Sequence, residues 1–178
     1  HDADHNAQFP EELWQHLVDL GLNYYALPEA LGGVAAEQNI VSNILIAESL
    51  AKGDFSLTAG LLSTFSVINA ITRWGSTQVQ SMYLPVFAED TDVTATFAFQ
   101  EATPAFNPYQ LKTIATETNG QFVITGEKTL VVLGDTADVF LVSAEFNGQP
   151  DIFVVQSNES IAIKANPAMG LKATETAT

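Results

Sequence analysis

The sequence predicts an α+β protein: an N-terminal α-helical bundle domain followed by an antiparallel β-sandwich or barrel domain. Two patterns carry the prediction. Up to about residue 90 the apolar residues recur every three or four positions, as on one face of a helix. From about Asp92 they alternate with period two and become β-branched or aromatic, as in half-buried strands. Asn-Gly pairs at 119–120 and 147–148 add hairpin turns, because Asn and Gly accept the positive φ angles that tight hairpins need. The boundary falls at 88–92, which divides the chain into a helical domain over 1–90 and a β domain over 91–178.

Phe9-Pro10-Glu11-Glu12 opens the first helix, with proline early and two carboxylates at the N-terminal dipole. Leu13, Trp14, Leu17, Val18 and Leu20 form its apolar face, and Gly21 ends it. Leu27-Pro28-Glu29-Ala30-Leu31-Gly32-Gly33 reads as a turn. The second helix is expected over Ala36–Lys52, with Ile40, Ile44, Leu45, Ala47 and Leu50 as its buried stripe and Gly53 as C-cap. Asp54 caps a third, from Phe55 to Arg73, apolar nearly all round and therefore expected at the centre. Ser76 or Thr77 caps a short fourth helix through Met82 and Tyr83, which Pro85 is expected to terminate or closely follow.

The expected strands are Val93–Gln100, Leu111–Glu117, Gln121–Ile124, Lys128–Leu133, Val139–Ala144, Ile152–Gln156 and Ile161–Ala165. Turns are expected at 118–120, 146–150 and 157–160.

Composition narrows the function. Net charge is −15, from 21 acidic and 6 scattered basic residues, so no basic patch exists to displace counterions from nucleic acid. There is no cysteine, which removes disulfides, thiolate nucleophiles and thiolate metal sites. No unbroken apolar run approaches the roughly 20 residues of a membrane helix. The first residues carry neither a basic nor an apolar signal region. No membrane insertion and a cytoplasmic location are expected. His1 and His5 have metal-binding spacing but lack a third ligand, and His16 reads as solvated.

Several segments, in order, resemble the acyl-CoA dehydrogenase family. Leu27-Pro28-Glu29 through Leu31-Gly32-Gly33 is similar to that family's V-P-E-x-Y-G-G turn. Ala47-Glu48-Ser49-Leu50-Ala51 with Asp54-Phe55-Ser56 is similar to E-E-L-A…D-x-S. Trp74-Gly75-Ser76-Thr77-Gln78 through Tyr83-Leu84-Pro85 is similar to F-G-[ST]-x-x-Q…Y-L-P. Gly126-Glu127-Lys128 through Gly134, Ala137 and Asp138 is similar to G-x-K-x-[WF]-I-T-N-G-x-x-A-D, and Met169-Gly170-Leu171-Lys172 to M-G-x-[RK].

The resemblance implies a flavoprotein that uses FAD to remove hydrogens from the α and β carbons of an acyl-CoA thioester. A glutamate takes the proton and the flavin takes the hydride. It further implies an electron acceptor as partner and a homo-oligomer for the full-length protein. The family's catalytic base lies in a C-terminal helical domain that these 178 residues do not contain, so no residue here is nominated as base. The chain is expected to be the front portion of a longer protein, and alone neither to bind FAD tightly nor to turn over acyl-CoA.

By the same resemblance, the cofactor-binding candidates are Phe97, Phe99, Gln100, Glu101, Leu130, Val131 and Val132, and Phe106 is the substrate-binding candidate. The family's T-E-P-x-A-G-S-D run is here Gln100-Glu101-Ala102-Thr103-Pro104-Ala105-Phe106-Asn107, with only Glu101 in register. Phe106 replaces a serine, and Val132 a threonine, that bond the flavin in the family. Each lost polar partner costs about 1–3 kcal/mol where the ligand group stays buried. Three readings stay open: a dehydrogenase with a diverged flavin site, a non-catalytic homologue kept as a binding or structural subunit, or another flavin reaction such as that of an oxidase or monooxygenase.

Overall fold

A computed structural model describes residues 16, 21–34, 40–90, 92–166 and 172–178. The expected first helix, the start of the second, His1, His5 and the Met169-Gly170-Leu171 motif lie outside those residues. His16 is exposed, as its position on the polar side of the sequence pattern implies.

The helices are α1 (Leu22–Ala26), α2 (Ile40–Ala51), α3 (Phe55–Trp74) and α4 (Thr77–Glu89). After α1 the chain turns through a 3-10 helix, Glu29–Leu31, and folds back on itself. A Cβ on Gly33 would lie 2.0 Å from the Leu27 carbonyl oxygen, so this close approach admits only glycine.

The helix α3 is the centre. Asp54 caps it by accepting from the Leu57 N–H at 3.1 Å, and nine of its residues are buried. By length and apolarity α3 could cross a membrane. Its apolar surface is instead the protein core: Leu61, Phe65, Val67, Ile68 and Ile71 pack with Leu84 and Phe87 of α4 and with Ala95, Val139 and Leu141 of the sheet.

Two helical expectations need correction. Pro85 does not end α4, which runs on to Glu89. Leu84 and Phe87, buried on either side of the proline, hold the helix against the core, and that packing outweighs the missing Pro85 N–H. The cap at Ser76 is as expected: its hydroxyl accepts from the Val79 N–H at 3.2 Å. On α2, Ile40, Ile44 and Leu45 are not buried; they are 74%, 59% and 56% exposed. The helix turns Asn43, Ile46, Ala47 and Leu50 to its half-buried side, again at helical spacing. Two of its faces are apolar, and periodicity does not decide which meets the core.

The strands are β1 (Ala95–Ala98), β2 (Ile114–Thr118), β3 (Gln121–Thr125), β4 (Val139–Phe146) and β5 (Gln149–Gln156). The sheet is mixed rather than purely antiparallel. β4 pairs antiparallel with β5 along its whole length. Its other edge is shared: β1 runs parallel to it at Val139–Val142, and β2 meets it, also parallel, at Glu145. Ser143 and Ala144 lie between these two contacts. The hairpins lie where Asn-Gly predicts them, with φ of 54° and 76° at Asn119 and Gly120.

The segments 128–133 and 161–165 are not strands. Leu130 and Leu133 have φ of 55° and 54°, which breaks extended backbone. Their segment makes turns anchored by the chain end: the Val131 N–H donates to the Ala177 C=O and the Leu133 N–H to the Thr174 C=O. The 161–165 segment makes only an isolated bridge, Ala165 to Ala177.

Candidate functional site

The two segments singled out for a flavin lie side by side. The Thr129 N–H donates to the Gln100 C=O at 2.8 Å, so the loop leaving β1 and the loop before Val131 share a backbone hydrogen bond. The residues next to that bond in sequence, Glu101 and Lys128, form a buried ion pair. Lys128 Nζ is 2.9 Å from Glu101 Oε1, with the two side chains 8% and 4% exposed.

Both ions are fully provided for. The carboxylate accepts from the Lys112 N–H at 2.8 Å, the Thr113 N–H at 3.0 Å and the Thr113 hydroxyl at 2.8 Å. The ammonium has three protons and three acceptors: Glu101, the Ser143 hydroxyl at 3.0 Å and the Phe99 C=O at 3.3 Å. Burial works to raise the Glu101 carboxyl, but the hydrogen bonds from Lys128, the two backbone N–H groups and the Thr113 hydroxyl outweigh it and hold it at about 2. Burial draws the Lys128 ammonium below its usual value, against the opposing pull of Glu101.

The candidates divide by burial. Phe99, Gln100 and Leu130 are exposed on the paired loops. Phe97 and Phe99 meet edge to face, ring centroids 4.9 Å apart. Glu101 and Val131 are buried, and the Glu101 carboxylate is spent on Lys128, Lys112 and Thr113. Val132 is half-buried, and its carbonyl accepts from the Thr96 hydroxyl at 2.5 Å. Thr96 in turn accepts from Ser63 of α3 at 2.9 Å. Among the described residues, no backbone acceptor meets the N–H of Leu130 or of Val132. Phe106 is half-buried on the excursion between β1 and β2, next to Ala105, which holds φ at 53°. A cleft of about 810 Å³ is bordered by Phe140, Val142, Val155 and Ile161 and also by Thr113 and Lys128; of the candidates only Val131 borders it.

The supporting residues Thr96, Thr113, Lys128 and Ser143 were not among the sequence candidates. Only Lys128 had a signal, as the lysine of the Gly-Glu-Lys motif.

The model of the acyl-CoA dehydrogenase N-terminal domain matches residues 1–91. The chain belongs to the acyl-CoA dehydrogenase family. A probable short/branched chain specific acyl-CoA dehydrogenase of Dictyostelium discoideum is 28% identical over 97% of this chain and 43% of its own length. The short-chain specific acyl-CoA dehydrogenase of Megasphaera elsdenii is 29% identical over 80% of this chain and 38% of its own length. The chain thus spans well under half the length of these relatives. Among solved structures, a glutaryl-CoA dehydrogenase from Mycobacterium smegmatis in complex with FADH2 superposes with a TM-score of 0.82. It is 26% identical and is matched over 99% of this chain and 45% of that one. The butyryl-CoA dehydrogenase of Megasphaera elsdenii gives a TM-score of 0.83 at 24% identity, over 99% of this chain and 48% of that one, a likeness of fold. The acyl-CoA dehydrogenase fold of helices followed by a mixed sheet accounts for both halves of the chain.

Proposed function

We propose that the whole protein is an FAD-dependent acyl-CoA dehydrogenase acting on the α and β carbons of an acyl-CoA thioester, and that this chain supplies one wall of its flavin site. Residues 1–90 act as its helical domain and 91–178 as its β domain. The observation that carries the reading is the bond from the Thr129 N–H to the Gln100 C=O, which sets both flavin-type loops on one surface.

The residues present fit such a wall. Leu130 and Phe99 offer apolar surface to a planar ring, Gln100 offers an amide, and the N–H groups of Leu130 and Val132 are free of backbone partners among the described residues. Bound there, FAD would supply the hydride acceptor; the chain's own task is to hold the ring's position and exclude water from one face. An electron acceptor and a homo-oligomeric assembly of the whole protein belong to the same reading.

A second reading has its own support. Val132 and Phe106 carry no hydroxyl where the resemblance implies threonine and serine, which favours a homologue that keeps the fold as a binding or structural subunit. The purified whole protein separates the two. A stoichiometric flavin absorbance band, followed by dye reduction with one or more acyl-CoAs, is the expected result. Colourless protein that takes up no added FAD overturns the enzyme reading in favour of the second, and oxygen consumption without dye reduction turns it toward an oxidase.

A further inference from the structure

The buried ion pair occupies a particular place in the sheet. β1 leaves β4 after Val142 and β2 joins it at Glu145, and at Ser143, between the two, the hydroxyl still lies 3.3 Å from the Phe99 C=O. A strand switch of this kind strands backbone groups that a continuous ladder would have paired. Glu101 and Lys128 sit at the switch. The carboxylate collects the N–H groups of Lys112 and Thr113 at the entry to β2, and the ammonium collects the Phe99 C=O at the exit from β1 and the Ser143 hydroxyl on β4. Four chain segments are thereby tied at one point, and the neighbours of the pair in sequence, Gln100 and Thr129, share a backbone hydrogen bond. The two ends of the excursion over 102–111 are closed by the same carboxylate.

Neither charge is available to a ligand, since every Lys128 proton and both Glu101 oxygens are engaged within the protein. A buried pair of this kind adds little net stability over apolar isosteres, but it specifies one geometry, whereas removal of a single partner leaves an unpaired buried charge. We infer that Glu101 and Lys128 are positioning residues: they set the spacing between the Phe99–Gln100 and Thr129–Val132 segments, and through it the shape of the ligand-facing wall, without touching the ligand. This rests on the flavin reading proposed above.

The test uses the whole protein as wild type, Lys128→Met, and the double variant Glu101→Gln/Lys128→Met. Three quantities are read: the melting temperature without flavin, the exchange of the Thr129 amide without flavin, and the dissociation constant for FAD. Lys128→Met is expected to melt lower, to lose at least tenfold of its Thr129 amide protection and to bind FAD at least tenfold more weakly. In the double variant the unpaired charge is gone, but the glutamine NH2 faces one of the Lys112 and Thr113 N–H donors, so melting recovers only in part while FAD affinity and amide protection stay low. Recovery of affinity together with melting would mean that the pair only stabilises the fold, and it overturns the inference. So does wild-type Thr129 protection in Lys128→Met. If wild type itself takes up no FAD, the flavin reading fails and the inference falls with it. If wild type binds FAD and both variants bind it equally well, the inference alone fails.

Discussion

Thr64 offers a direct test of how the helical layer is joined to the sheet. Among the described residues β1 pairs only with β4, so the backbone groups of Ala95 that point away from β4 meet no strand there. Thr64 of α3 takes both: the Ala95 N–H donates to the Thr64 hydroxyl oxygen at 3.0 Å, and that hydroxyl donates to the Ala95 C=O at 3.3 Å. Thr64 is 2% exposed and Ala95 fully buried, so water cannot stand in. Thr64→Val keeps shape and removes the hydroxyl. One buried donor and one buried acceptor are then orphaned, at about 1–3 kcal/mol each, the longer contact at the low end. The added methyl returns about 0.8 kcal/mol. The net expectation is a loss of about 2–3 kcal/mol, or roughly 5–10 °C for a chain of this size. Thr64→Ser is the control, because it keeps the hydroxyl and loses one methyl, for about 1 kcal/mol. Urea unfolding of the three proteins reads the difference as a shift in midpoint at constant slope. If valine costs no more than serine, the hydroxyl is not what binds β1 to α3, and the argument is wrong.

Two further outcomes follow from the geometry. Glu101 titrates at about 2 when folded against 4.5 ordinarily, so the unfolded state binds its proton first as acid is added. Its contribution is complete above pH 4.5 and is lost between about pH 4.5 and 2, amounting to about 3 kcal/mol. Acid titration of unfolding stability should show a loss in that window that Glu101→Gln does not show, and equal acid sensitivity in both would refute the assignment. Gly33→Ala places a Cβ 2.0 Å from the Leu27 carbonyl oxygen; backbone must shift, and a loss of at least about 2 kcal/mol is expected by urea unfolding.

What the sequence made legible was local. The caps at Asp54 and Ser76, the Asn-Gly turns, the central α3 and the change of period near Asp92 are all written within a few residues of where they act. The errors share a different cause. Leu130-Val131-Val132-Leu133 has strand composition, yet its conformation is set by Thr174 and Ala177, more than 40 residues on. Ile40, Ile44 and Leu45 have core composition, yet α2 turns another face inward. Pro85 breaks an isolated helix but not one clamped at Leu84 and Phe87. In each case a long-range contact overrode a correct local preference.

The candidate site follows the same division. Phe99, Gln100 and Leu130, exposed on the paired loops, could be named from motif position. Its supports could not, because each is a polar group whose role depends on a neighbour far away in the chain. Thr96 matters through Ser63 and Val132, and Lys128 through Phe99, Glu101 and Ser143. Read alone, a threonine in a strand suggests β propensity and a lysine before a turn suggests solvation. Lys128 gains its role where β1 gives way to β2 along one edge of β4, by meeting the Phe99 C=O and the Ser143 hydroxyl beside the Glu101 carboxylate.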